Sequence, residues 1–210
     1  MSNCRPIIGA VIGALFAATA QATVVQVQFT GIIQEVKPNT FVSASVSVGD
    51  PFTGSYSYDT ATPDANGSPE LGVYALPAYQ MTVNVGGLTF TSADLQINVT
   101  NATEDRYFVI SPSVFEAYGQ NFSQLSVDLV DLTAGALTSD ALLDQPPDLQ
   151  DFMTPGDSAR SFILGAARDP WLNGEVTTLT RVPEPGTVVL LAAGLFALYR
   201  RECCSARGLR

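Results

Sequence analysis

Tyr79-Gln80-Met81-Thr82-Val83-Asn84-Val85-Gly86-Gly87-Leu88-Thr89-Phe90-Thr91 is the stretch that decides the fold class. Two short runs of alternating apolar and polar residues flank Gly86-Gly87. Both glycines can take positive φ, and a two-residue hairpin turn requires that of its central residues. The stretch therefore predicts two antiparallel strands joined by a tight turn.

The same period of two extends outward in both directions. Upstream, Val25, Val27 and Phe29 alternate with Gln26, Gln28 and Thr30, and a second alternating run covers Phe41 to Val48. Gly49-Asp50-Pro51 breaks that run, Phe52 to Tyr58 reads as a third strand, and Asp59 to Pro69 has the Pro, Asp, Asn and Gly content of a loop. Downstream, strands are expected at Leu95 to Val99, Tyr107 to Ile110, Leu125 to Leu129, Ser161 to Leu164 and Val176 to Val182. Ala141 to Phe152 contains Pro146-Pro147 and reads as a loop with one helical turn near its end. Roughly nine or ten strands, turn signals about every ten residues and no amphipathic helix predict an all-β fold. The expected architecture is an antiparallel β-sandwich with jelly-roll-like strand order.

Charge and composition exclude several function classes. The chain of 210 residues has a formal net charge of −10. Between Thr23 and Val182 five bases stand against eighteen acids, a net of −13, because half the basic residues lie in the terminal segments. Such a surface repels phosphate backbones, so nucleic acid is not an expected partner. There is no histidine, which removes a Ser-His-Asp triad and a His-liganded zinc. The cysteines are Cys4, Cys203 and Cys204, so the body has neither a disulfide nor a thiol nucleophile. No cofactor is expected, and the body is expected to be non-enzymatic.

The two ends of the chain read as export segments. Arg5 followed by the uncharged run Ile7 to Ala18 has the form of a secretory signal, expected to be helical, and Ala20-Gln21-Ala22 supplies the small-x-small cleavage pattern. The C-terminal stretch has three parts: Val182-Pro183-Glu184-Pro185, an apolar run from Thr187 to Tyr199, and Arg200-Arg201. The prolines suit the start of a helix, where a missing N–H is harmless. Arg200 and Arg201 suit a cytoplasmic membrane stop. As a helix the thirteen apolar residues reach only about 20 Å, against a hydrocarbon core of roughly 30 Å. Counted from Val182 the segment is barely long enough for a single transmembrane helix, which fits a temporary anchor in the inner membrane. The expected organisation is a signal peptide over 1–22, a body over 23–181, a membrane-directed segment over 182–201 and a cytoplasmic tail over 202–210.

This tripartite tail, paired with the signal at the other end, closely resembles the PEP-CTERM sorting signal of exported bacterial proteins. The resemblance covers about the last 25 residues of the chain. It implies an exosortase-type membrane protease as partner, with Pro183, Glu184 and Pro185 as the recognition residues and Arg200-Arg201 as the stop. It also implies a destination at the cell surface or in the exopolysaccharide matrix of a Gram-negative bacterium, hence a biofilm setting. The segment Gly49 to Asp59 is similar to the β-rich bodies of that family and implies no activity.

Carboxylates are the plentiful reactive groups of the body. Asp50, Asp59 and Asp64, with Glu70, flank one loop, and Asp140, Asp144, Asp148 and Asp151 another. Loop carboxylates suit Ca²⁺, so Asp50, Asp59 and Asp64 are the candidate ligands, although no EF-hand spacing accompanies them. Tyr56, Tyr58, Tyr74, Tyr79, Tyr107, Tyr118 and Trp171 would stack on sugar rings if they shared an exposed face. A Ca²⁺- or carbohydrate-binding module is therefore the alternative for the body. A glycosidase using two carboxylates is a remoter one, since nothing in the sequence selects a pair.

Overall fold

The computed structural model describes residues 23–38, 40–152, 159–166 and 169–183. The expected signal helix, with Ala20 and Ala22, and the expected transmembrane helix lie outside the described residues. Among the described residues no helix is long and apolar enough to cross a membrane.

Ten strands join in one antiparallel sheet. They are β1 (Val24–Val36), β2 (Pro51–Asp59), β3 (Leu71–Leu76), β4 (Met81–Val85), β5 (Leu88–Thr91), β6 (Leu95–Asn101), β7 (Asp105–Ile110), β10 (Gln124–Asp131), β11 (Arg160–Ala166) and β12 (Asp169–Val182). The order across the sheet is β3-β6-β7-β10-β11-β12-β1-β2-β4-β5. A separate hairpin pairs β8 (Phe115–Ala117) with β9 (Gln120–Phe122). The opening hairpin forms as predicted. Gly86 and Gly87 take φ of +56° and +78°, and Val85 pairs with Leu88 across the turn.

The sheet curls until its inner face meets itself. Tyr56 on β2 and Tyr107 on β7 stand five positions apart in the strand order, yet their hydroxyls are 3.2 Å apart. Phe52 on β2 and Phe162 on β11 have ring centroids 4.6 Å apart. Period-two burial supplies this core: Val25, Val27 and Phe29 from β1 and Phe52, Tyr56 and Tyr58 from β2 are almost fully buried, while their alternates face outward. Glycine makes room for the largest rings. The Phe29 ring lies over Gly54, and Phe52 fits between Gly31 and Gly174, where any Cβ would overlap it.

Three expectations are corrected. Phe41 to Val48 is not a strand but a loop with a 3-10 turn at Val42–Ala44. Its apolar residues also fit a spacing of four. The Val46 N–H donates to the Val42 carbonyl at 2.8 Å, both valines are buried, and Val48 is 64 % exposed. The strand order is not jelly-roll-like. β1-β2, β4-β5, β6-β7 and β10-β11-β12 are sequential neighbours in one sheet, whereas a jelly roll passes repeatedly between two. Finally, β3, β8 and β9 arise where no strand was expected.

Both edges of the sheet are covered. On β3 the Val73 N–H donates to Asp64 Oδ1 at 2.8 Å, and the Val73 carbonyl accepts from Ala65 N–H at 2.8 Å. On β5 the Thr89 N–H donates to the Tyr118 hydroxyl at 2.8 Å. Tyr118 reaches it from the β8–β9 turn, where its φ is +53°. Paired edge groups no longer invite another chain to add a strand.

Candidate functional site

The chain leaves the body toward its C-terminal segment from the middle of the sheet. β12 lies between β11 and β1, and β11 accompanies it as far as Glu175. Beyond that point β12 continues along β1, with Arg181 opposite Val27 and Val182 opposite Gln26. Pro183 is the first residue outside the ladder. It has no N–H to donate, so the pairing ends there. Arg181 Nη1 also donates to the Asp144 carbonyl at 3.4 Å, which ties the last turn of β12 to the 140–152 loop.

The first strand begins at the same pole. Val24 opens β1, one residue after Thr23, and Gln26 is the direct partner of Val182. The chain therefore enters the body beside the place where it leaves. Of the sorting residues, Val182 ends a strand and Pro183 follows it in the open, whereas Glu184, Pro185, Arg200 and Arg201 lie outside the described residues.

The Ca²⁺ candidates do not come together. Asp50 precedes β2 and Asp59 ends it, so nine residues of extended chain, about 30 Å at ~3.3 Å per residue, separate them. Each has a local task. Asp50 Oδ2 accepts from Ser47 N–H at 2.8 Å, Asp59 Oδ1 from Ala61 N–H at 2.9 Å, and Asp64 Oδ1 from both Asn66 and Val73 N–H at 2.8 Å. These are turn-capping bonds. Among the described residues no group of three or more His, Cys, Asp or Glu is placed to hold a metal ion.

The expected aromatic face does not form either. Tyr56, Tyr58, Tyr74 and Tyr107 are in the core, Tyr79 and Trp171 are half-buried against it, and only Tyr118 is largely exposed. Their polar ends meet inside. The Tyr56 and Tyr107 hydroxyls pair, and Tyr58 donates to the Leu143 carbonyl at 2.9 Å. Burial pushes the Tyr58 phenol up to about 12, and raises Tyr56 and Tyr107 well above the ordinary phenol range.

Two buried carboxylates were not legible in the sequence. Asp105 on β7 stands directly opposite Asp131 on β10. Asp131 accepts from Thr133 N–H and Oγ1–H, Gly135 N–H and Ala136 N–H, and these bonds hold its carboxyl below the usual carboxylate range. Asp105 Oδ2 accepts from Leu137 N–H at 2.7 Å, while its Oδ1 has no hydrogen-bond partner among the described residues. The Asp131-Leu132-Thr133 spacing is a turn signal that would have found one member, but nothing local marks the pair. On the outer surface a depression of 330 Å³ lies over β1, β2 and β4, and one of 680 Å³ lies between the 145–150 loop and Thr177 to Thr180.

Residues 181–201 match the PEP-CTERM protein-sorting motif. The match begins on the last two residues of β12. The chain thus carries a sorting motif of exported proteins that an exosortase, a membrane protein, recognises. No curated protein and no solved structure matches the chain.

Proposed function

We propose that an exosortase-type protease reads this protein at Pro183-Glu184-Pro185 and detaches it from the inner membrane, leaving a non-enzymatic β-sandwich body at the cell surface or in the extracellular matrix. The observation that carries this proposal is the junction itself. The matched motif starts on Arg181 and Val182, which are still paired to β1, and Pro183 is the first residue free of the sheet. Body and signal are therefore joined without a linker. In the same proposal residues 1–22 are a signal peptide cleaved after Ala22 or Ala20, Arg200-Arg201 stop transfer, and 202–210 remain in the cytoplasm. Chain entry and exit at one pole suit a body held at the membrane by either end.

Replacing Pro183-Glu184-Pro185 by three alanines, and sequencing the C-terminus of protein recovered from cells and medium, tests the proposal. The altered chain should accumulate uncut in the membrane fraction while the natural chain is shortened. Identical C-termini in the two would overturn it.

A further inference from the structure

We propose that the outer face of the β12-β1-β2-β4-β5 half binds a neutral, extended, polyhydroxylated glycan. The strand register builds this face from distant parts of the chain. One row across it is Thr180, Gln28, Ser55, Thr82 and Thr91. The next is Thr178, Thr30, Thr53, Asn84 and Thr89. All ten side chains are exposed or half-buried, and each is a hydroxyl or an amide.

Charge decides which ligand fits. The body carries a net −13, yet neither row holds a charged residue. The outer face of the other half does hold charges, in the Arg106–Asp128 pair; within this half Glu175 of β12, paired with Arg160, stands beyond the second row, opposite Ile32. A merely solvated strand face gains solubility from interspersed charges and has no reason to exclude them. An ionic ligand would find no counter-charge in these rows, and an apolar one would leave their hydroxyls unpaired. A neutral sugar chain both donates and accepts, as these side chains do.

The side chains are also held in place, which lowers the entropy lost on binding. Thr30 and Thr178 hydroxyls are 2.7 Å apart, those of Thr82 and Thr91 3.2 Å, and Thr89 Oγ1 donates to Asn84 Oδ1 at 2.7 Å. The face is recessed. The 330 Å³ depression lies over Gln28, Thr30, Thr53, Ser55 and Asn84. The 680 Å³ depression reaches Thr178 and Thr180, the cross-strand partners of Thr30 and Gln28, so the two abut; Asp148 and Arg160 also line it, outside the two rows. Five strands at ~4.8 Å spacing make a track of about 19 Å, long enough for an oligosaccharide rather than a single sugar.

The test uses the full-length chain in a zwitterionic detergent without a sugar headgroup. Immobilised cellulose, mannan and dextran are the neutral probes, and alginate is the anionic one. Retention is expected on at least one neutral probe, and it should persist from about 0.05 M to 1 M salt because no exposed ion pair is involved. Thr53→Glu combined with Thr82→Glu should weaken it at least about tenfold, since the contact would then hold unpaired charge. Thr100→Glu, on the outer face of the other half, should leave it unchanged. Should the double Glu variant fail to fold, Thr53→Ala with Thr82→Ala keeps the strands and should still weaken retention. No retention on any neutral probe, retention on alginate alone, or equal retention by the folded variants overturns the proposal. So does a concentration-dependent dimer, seen in sedimentation, that the Glu substitutions dissolve, for a second copy would then occupy the face. None of these outcomes depends on C-terminal processing.

Discussion

Asp105 and Asp131 show what a single buried carboxylate does when its partners differ. Asp131 is 4 % exposed and its oxygens accept from three backbone N–H groups and a hydroxyl, so ionisation is favoured there. Its pKa in the folded chain is lowered by those bonds. The associated stability is therefore present above the ordinary aspartate value near ~3.9 and is lost as pH falls through the lower folded value. Asp131→Asn should depress the melting temperature at neutral pH, and the gap from the natural chain should narrow as pH falls below the ordinary aspartate value. Asp105 stands opposite with one unpartnered oxygen, and a buried acceptor without a donor costs stability. Asp105→Asn keeps an acceptor for Leu137 N–H and replaces the partnerless oxygen by an amide donor across from the Asp131 carboxylate, so the melting temperature should rise. A fall as large as that of Asp131→Asn would mean that Asp105 has a partner of its own.

The Met81–Thr91 hairpin is the element most fully legible in the sequence, because its turn chemistry is local. Gly86 and Gly87 both need left-handed backbone, but only Gly86 is enclosed: a Cβ there would run into the Ser45 carbonyl and Val46, whereas at Gly87 it meets open space. Gly87→Ala should cost about 1 kcal/mol of backbone strain, measured by denaturant unfolding, and Gly86→Ala clearly more. Equal costs would show that Ser45 gives way easily. Phe41–Val48 was less legible for a related reason. Its alternation is real, but Val42 and Val46 also suit a turn, and the choice was made by long-range packing. Phe41 inserts among Phe90, Tyr118, Phe122 and Trp171, which come from three other parts of the chain: β5, the β8–β9 hairpin and β12. β8 and β9 are too short to carry a period, and the Tyr118-Gly119 turn between them becomes meaningful only beside the β5 edge it covers.

At the scale of the molecule, the curl of the sheet brings the tyrosines of β2 and β7 together. Their phenols are neutral in the fold, with Tyr58 pushed up to about 12 and Tyr56 and Tyr107 raised further by burial. An unfolded chain ionises its tyrosines near ~10, so it releases protons that the folded chain keeps. The tyrosine contribution to stability should thus be constant below about pH 10 and fall as pH rises from there toward about 12. Absorbance titration should show these phenols ionising only as the sheet unfolds. Tyr56→Phe with Tyr107→Phe should flatten that fall, and an unchanged alkaline limb would place its origin elsewhere.

The sequence by itself determined what depends on neighbours along the chain. Period-two alternation specified strands, Gly86-Gly87 specified their antiparallel return, and the order of proline, apolar run and arginine pair specified the sorting motif. Each of these is a short-range requirement: a φ sign, a missing N–H, a run of uncharged residues. Only the tertiary structure decided which strands lie side by side. Pairing β1 with β12 brings Gln26 beside Val182, and with them the two ends of the body. The same pairing sets Thr180 beside Gln28 and Thr178 beside Thr30, which makes scattered polar alternates into two uncharged rows. It also separates Asp50 from Asp59 and buries Tyr56 and Tyr107. The physical reason is that alternation states only that a residue faces inward or outward. Register and curl, set by burying rings over glycine and by pairing backbone groups far apart in sequence, state what it faces.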